Sequence, residues 1–258
     1  MNKVKNFVAG IVVSTLGVLS ADADDIYKGV ISQTNWQYDQ RVSYGEKELN
    51  RTTTATMGSN SILKYWNGNT KGIFGFVNVP WKSLDTETVH SSGIGDVTLG
   101  LGPRGRFDVR DTGSFHWISY AGAIVPTGNN TTKPALGNGR TDFKTGCFAT
   151  YLTLDKKFEV DTSIEYTPTF TSQISHELAT GFVIGGALPH NFRVAAGLTS
   201  VLKHGSTSDK AYSVNYRMIL RKNFSPTWHL VAIGDIGIKS EGMPCGFGMT
   251  LIARYNLK

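Results

Sequence analysis

The chain has 258 residues, 29 of them glycine, and carries a formal net charge of +6 at a sequence pI of about 9.2. Its 26 lysines and arginines are scattered and do not cluster, which argues against a nucleic-acid-binding surface. We attribute the basic balance to solvated faces, or to attraction toward anionic lipid head groups and solutes.

Residues 1–23 are predicted to be a cleaved signal peptide. Lys3 and Lys5 give a basic start, an apolar stretch follows, and Ala21-Asp22-Ala23 has the A-x-A form of a cleavage site. A membrane anchor is the alternative, but about 13 apolar residues fall short of the roughly 20 that a spanning helix needs. Cleavage removes two lysines and one aspartate, so the net charge falls from +6 to +5. The remaining residues 24–258 contain no linker and no block of like charges, and we expect one domain.

The mature chain is predicted to be all-β. It lacks amphipathic helical periodicity, and apolar and polar residues alternate over segments separated by Gly, Thr, Ser and Asn. Most segments exceed the roughly 5–6 residues of a globular strand and reach the roughly 9–11 that cross a bilayer obliquely. The twelve predicted strands are 34–44, 52–66, 71–81, 94–107, 114–126, 141–154, 158–170, 177–188, 192–203, 211–222, 227–239 and 246–257.

Short and long connections alternate along these strands. Tight turns are predicted at Asn67-Gly68-Asn69, Asp155-Lys156-Lys157, Leu188–Asn191 and Asn223–Pro226. Longer polar loops are predicted at Lys82–Gly93, Thr127–Arg140 and Lys203–Lys210. An up-and-down outer-membrane barrel has this asymmetry, with short periplasmic turns and longer external loops. An even number of strands places both termini at the end with the turns.

The faces of the strands support the same fold. In the last strand Met249 and Leu251 oppose Arg254, with Ile252 as an exception. A soluble sandwich would show such alternation too, but aromatic residues near strand ends favour a membrane interface, and a closed barrel leaves no unpaired edge in hydrocarbon. We therefore predict a single antiparallel transmembrane β-barrel of about twelve strands. The aromatic residues in question are Phe115, Trp117, Phe158, Tyr166, Tyr212, Trp228 and Tyr255.

The alternation also predicts which polar side chains face the lumen. They form either a selectivity lining for a permeating solute or an ion-paired network that fills the lumen, and the residue types leave both open. Twelve strands close at roughly 24 Å between backbones, so any pore is narrow. The candidate lumen-lining residues are Asp96, Thr98, Arg104, Glu159, Asp161, Glu165, Arg217, Arg221, Asp235 and Arg254.

No catalytic, cofactor-binding or metal site is predicted. The run Gly100–Gly105 matches G-x-G-x-x-G, but Pro103 lacks an N–H and the segment continues as a strand, so it cannot cradle phosphates. The six histidines show no ligand spacing, and no G-x-S-x-G motif occurs. Cys147 and Cys245 are either one disulfide or two small apolar residues.

Three segments resemble the outer-membrane family called MetA-pathway of phenol degradation transporters. Gly93–Phe107 resembles its glycine-aspartate strand, Ala123–Gly128 its proline-threonine-glycine segment, and Leu136–Phe143 its glycine-asparagine-glycine segment. The resemblance implies a channel-like transporter, often linked to uptake of hydrophobic or aromatic compounds, without catalytic residues. One departure is the end of the chain at Tyr255–Lys258, which lacks the terminal aromatic residue that assembly machinery typically recognises.

The function predicted from these features is a Gram-negative outer-membrane channel that passes small solutes, hydrophobic or aromatic ones among them, by passive diffusion. Its partners would be outer-membrane lipid, the solute and the barrel-assembly machinery, with no nucleic acid and no cofactor. One alternative is a non-conducting structural or interaction barrel of the outer membrane. A soluble secreted β-protein is the other.

Overall fold

The computed structural model describes residues 36–48, 52–66, 71–86, 89–132, 135–168, 176–204, 210–225, 227–241, 243 and 245–257. The predicted signal peptide and the predicted turn Asn67-Gly68-Asn69 lie outside these residues.

Strands make up almost all of the described chain. Apart from a single 3-10 turn at Pro189–Asn191 no helix occurs there, and none of the described residues forms a helix long and apolar enough to cross a membrane. The strands are β1 (Trp36–Glu48), β2 (Thr52–Trp66), β3 (Lys71–Thr86), β4 (His90–Ile94), β5 (Val97–Val109), β6 (Gly113–Val125), β7 (Asp142–Thr153), β8 (Phe158–Thr167), β9 (His176–Leu188), β10 (Phe192–His204), β11 (Lys210–Asn223), β12 (Trp228–Glu241) and β13 (Cys245–Leu257).

The strands form one antiparallel up-and-down sheet that curls into a barrel. Its order is β1-β13-β12-β11-β10-β9-β8-β7-β6-β5-β3-β2, with β4 paired to β3. β1 pairs with β13 along its whole length, from Trp36 opposite Leu257 to Glu48 opposite Cys245. The hydrogen-bonded order ends at β1 and β2, and these two strands lie side by side. Their adjacency brings the two edges of the sheet together.

All twelve predicted strands are present, and the second has the predicted bounds. The predicted loop Lys82–Gly93 is wrong. β3 continues to Thr86 and pairs with β4, placing Trp81 opposite Ile94 and Asp85 opposite His90. A hairpin that projects beyond the apolar part of a barrel has polar side chains on both faces, so composition does not separate it from a loop. β4 and β5 divide the predicted fourth strand where the Gly95 N–H donates to the Pro80 carbonyl at 2.9 Å.

The two ends of the barrel differ. At the end where β1 begins and β13 finishes, which we call the turn end, residues 110–112, 154–157 and 189–191 make tight connections. At the opposite loop end, the connection 126–141 is the longest between described strands, as predicted for Thr127–Arg140. The connection 87–89 between β3 and β4, at the loop end, has as few residues as the tight turns. The predicted alternation of short and long connections therefore holds only in part.

The tight turns place non-glycine residues in the left-handed region of the backbone. Lys156 has φ of 58°, and His190 and Asn191 have φ of 60° and 62°. The Asp155 carboxylate accepts hydrogen bonds from Thr153 Oγ1 at 2.7 Å and from the Lys157 N–H at 3.0 Å. Both bonds favour the charged form and lower the pKa of that carboxyl.

Candidate functional site

The sheet has an apolar outer face and a largely polar inner face. On β13, Leu251 is exposed while its neighbour Ile252 is completely buried, and Arg254 is buried while Tyr255 is exposed. The same alternation of exposed apolar and buried residues runs through the other strands whose side chains are described. A flat sheet would leave both faces open, so the burial shows that the inner face is enclosed. Exposed apolar residues of the outer face include Ile73, Val77, Leu99, Leu101, Phe143, Ile164, Phe182, Ile184, Leu198, Met218, Leu220, Ile236, Phe247, Met249 and Leu251.

Aromatic residues lie toward the ends of this outer face, as predicted. At the turn end Phe224 and Trp228 have ring centroids 4.2 Å apart, and Phe107 and Phe115 are 4.8 Å apart. Near the loop end the outer face carries Tyr166 and Trp81. Amphipathic rings at both ends of an apolar band suit the two head-group regions of a bilayer.

The inner face carries ion pairs between neighbouring strands. Arg217 on β11 forms a bidentate pair with Asp235 on β12, with N–O distances of 2.8 and 3.0 Å. On β7 and β8, Lys144 Nζ lies 3.0 Å from Glu165 Oε1. Burying a charge is costly unless it is paired, and these contacts supply that pairing.

The ten residues predicted to line the lumen all lie on or at the margin of this inner face. Seven are buried, and Asp96, Arg217 and Asp235 are half-buried. The structure joins Arg217 to Asp235, places Glu165 against Lys144, and pairs Glu159 with Arg193. Their contact with a permeating solute stays a prediction. The seven buried ones are Thr98, Arg104, Glu159, Asp161, Glu165, Arg221 and Arg254.

An aromatic cluster on the inner face was not predicted. Phe76 stacks on Phe74 with centroids 5.9 Å apart and meets the edge of Tyr120 at 5.2 Å, and Tyr120 stacks on Phe148 at 6.1 Å. Gly100 makes room for it, because a Cβ there would lie 2.5 Å from the Phe76 ring. On β3 the inward Phe74 and Phe76 alternate with the outward Ile73 and Val77. Both faces of this strand are therefore apolar, so the polar–apolar alternation that would identify its inner face is missing.

The Tyr120 hydroxyl donates to the Glu165 carboxylate, which is also the partner of Lys144. This contact links the aromatic cluster to the ion pair. Both sets of side chains are buried, so the middle of the inner face on this side is tightly packed.

A second apolar cluster explains the exceptions in the alternation. Ile252, and likewise Val231 and Ile233 on β12, fall on the charged side of their strands. They pack together on the inner face, with the half-buried Ile219 against them. The exceptions are therefore inner packing residues and do not mark a shift of register.

At the loop end, the connection between β6 and β7 is bound to Asp96. Asp96 Oδ1 accepts from the Gly128 N–H at 3.0 Å, and Oδ2 accepts from the Asn138 N–H at 2.8 Å. Arg140 Nε donates to Asp142 Oδ1 at 2.7 Å, which adds a half-exposed cation to the same region. All three segments of the family resemblance meet here.

No group of three or more His, Cys, Asp and Glu that could hold a metal ion occurs among the residues that the structure describes. Cys147 on β7 is free and half-buried, so of the two alternatives for the cysteines the disulfide is not formed.

Comparison with known families and structures agrees with this geometry. The family described as "Putative MetA-pathway of phenol degradation" matches residues 23–254. No curated protein sequence matches the chain.

Several solved structures share the fold. The COG4313 outer membrane channel from Pseudomonas putida F1 is 14% identical with a TM-score of 0.74, and the match covers 88% of this chain and 97% of that one. The translocator domain of the autotransporter NalP from Neisseria meningitidis is 8% identical with a TM-score of 0.52, covering 90% and 92%. The beta domain of the Bordetella autotransporter BrkA is 12% identical with a TM-score of 0.50, covering 86% and 99%. These structures are outer-membrane β-barrels in fold.

Proposed function

Because the chain belongs to the MetA-pathway of phenol degradation family and is an outer-membrane β-barrel, we propose that it is a channel that passes small solutes by passive diffusion. The observation that carries the proposal is the contrast between the two faces of the sheet. The outer face is apolar where lipid would lie, and the inner face holds paired charges. A polar interior wall gives a dissolved molecule a path that hydrocarbon does not.

For the solute, we propose small molecules that include hydrophobic or aromatic ones. The family match supports this class of solute, since phenol, which the family description names, is an aromatic ring that bears one polar group. We also propose that the chain is exported by the predicted signal peptide and inserted by the barrel-assembly machinery.

A non-conducting structural barrel is the second candidate, favoured by how deeply some inner side chains are buried. Ile118 and Arg254 are 0% exposed and Arg221 is 1% exposed. Side chains that border an open pore retain contact with water, so this burial favours a filled interior at those positions.

Planar-bilayer recording separates the two. Protein refolded in detergent, and shown to be folded by a heat-dependent shift in gel migration, is expected to give discrete current steps that the boiled sample lacks. Benzoate, as a small aromatic anion, is expected to interrupt the current briefly. Folded protein without current steps would refute the channel and leave the structural barrel.

A further inference from the structure

The connection between β6 and β7 folds onto the inner side of the barrel. We call its described residues, 126–132 and 135–141, the mouth loop. It contacts Lys82 and Leu84 on β3, which lie on the same face of that strand as the buried Phe76. It also contacts Asp96, a half-buried residue between β4 and β5. A loop held by inward side chains lies on the lumen side of the sheet at the mouth.

Asp96 is the polar anchor of the mouth loop. Each of its two carboxylate oxygens accepts one backbone N–H, Gly128 at 3.0 Å and Asn138 at 2.8 Å, so one side chain joins both arms of the loop. Hydrogen bonds to an ionised acceptor are stronger than neutral ones. The approach is close, because a Cβ on Gly137 would lie 2.3 Å from Asp96 Oδ1. Only glycine fits there.

Four further contacts fix the loop. Thr127 Oγ1 donates to the Gly95 carbonyl at 2.7 Å and accepts a hydrogen bond from the Val97 N–H at 3.0 Å. These two bonds attach the loop to the start of β5. Leu136 is buried against Leu84. Lys82 Nζ donates to the Leu136 carbonyl at 2.9 Å. Polar contacts thus act on both arms, and the second arm has an apolar contact as well.

We propose that the mouth loop is the constriction of the channel and that Asp96 is the positioning residue that holds it in the mouth. This inference rests on the proposed function, since a constriction has meaning only where solute passes. Asp96 does not touch the solute. It sets the free cross-section by tying residues 128 and 138 to the wall.

The test compares single-channel conductance in wild type, Asp96→Asn and Asp96→Ala. The amide of Asn retains one acceptor oxygen and places an NH₂ against the other N–H, so it keeps one of the two bonds; Ala keeps neither. Conductance is expected to rise in the order wild type, Asn, Ala, by roughly twofold at Ala, with more current noise. Asp108→Ala is the matched control, because Asp108 is an exposed aspartate at the turn end of β5, the strand that begins directly after Asp96. It is expected to conduct as wild type does.

A second readout does not need current. Arg140 lies in the mouth loop, and trypsin added to folded protein in vesicles is expected to cut after it faster in Asp96→Ala than in wild type. If Asp96→Ala does not fold, Thr127→Val takes its place in both measurements. This substitution removes the two hydrogen bonds of Thr127 with Gly95 and Val97 while keeping a similar side-chain volume.

The outcomes distinguish the two proposals. A wild type that folds without conducting overturns the channel, whereas the trypsin result still reports on the Asp96 anchor. A wild type that conducts, with a folded Asp96→Ala of unchanged conductance and unchanged cleavage, overturns the constriction and leaves the channel standing.

Discussion

Lys144 and Glu165 face each other on the inner wall of the barrel, with 3.0 Å between Nζ and Oε1 and side chains only 3% and 6% exposed. The Tyr120 hydroxyl also donates to Glu165, so this carboxylate belongs to both the ion pair and the aromatic cluster. Removing one partner of such a pair leaves a buried charge without compensation, which costs more than losing the attraction itself.

We therefore predict that Lys144→Met and Glu165→Gln each lower the free energy of unfolding by about 3–5 kcal/mol. The double variant removes both charges, while the amide that replaces the carboxylate still accepts the Tyr120 hydroxyl, and its loss should be well below the sum of the singles. Urea unfolding of vesicle-inserted protein, followed by tryptophan fluorescence, measures all three. Lys157→Met is the control, because its partner Asp155 is exposed and the pair should contribute little. Additive losses would show that the two charges are independent.

The outer face predicts a position-dependent cost for charge. Leu99 is 43% exposed on the lipid-facing side of β5, and Leu99→Arg should lower stability by about 2–4 kcal/mol because guanidinium enters hydrocarbon. Leu154 is 71% exposed in the turn between β7 and β8, beyond the apolar band, and Leu154→Arg should fold like wild type. The fraction that inserts into vesicles and shows the heat-dependent gel shift measures both. Equal insertion of the two variants would contradict the assignment of β5 to the bilayer.

Much of the fold could be predicted from the sequence because alternation in a barrel is local. Leu99 and Leu101 against Thr98 and Arg104 require only that successive side chains point to opposite faces. The inner apolar residues were harder, since Val231 opposite Ile252 makes sense only once the register of β12 on β13 is known. The prediction of a loop at residues 82–93 was wrong for the same reason. The pairing of β3 with β4 makes a hairpin there, and the polar composition of the segment does not reveal this pairing.

The contacts of Asp96 with the mouth loop could not be predicted from the sequence. Asp96 was predicted to face the lumen, but its partners Gly128 and Asn138 lie 32 and 42 residues away. No local pattern places a loop against a strand so distant in the chain. The need for glycine at position 137 is seen only in the structure, where a Cβ would lie 2.3 Å from Asp96 Oδ1.

Gly100 and Gly234 form a matched pair of glycine sites in strands. A Cβ on Gly100 would lie 2.5 Å from the packed Phe76 ring, whereas a Cβ on Gly234 would meet nothing within 4 Å. Gly100→Ala should lower the free energy of unfolding by about 1–3 kcal/mol through overpacking. Gly234→Ala should be neutral or stabilising by about 0.5 kcal/mol, since alanine restricts the unfolded chain. Urea titration decides, and a Gly100→Ala variant as stable as wild type would mean that Phe76 moves freely.

Arg217 and Asp235 predict the sign of ion selectivity. They are half-buried on the inner wall, so unlike Arg221 they retain exposure to the lumen, and their charges oppose each other. Arg217→Gln leaves the carboxylate and should shift the channel toward cations, while Asp235→Asn leaves the guanidinium and should shift it toward anions, each by roughly twofold in permeability ratio. Reversal potentials across a KCl gradient measure the shift. Thr162→Ser, an exposed outward position on β8, serves as a control without charge change and should keep the wild-type potential. Shifts of the same sign in the two charge variants would exclude this pair from the conducting wall.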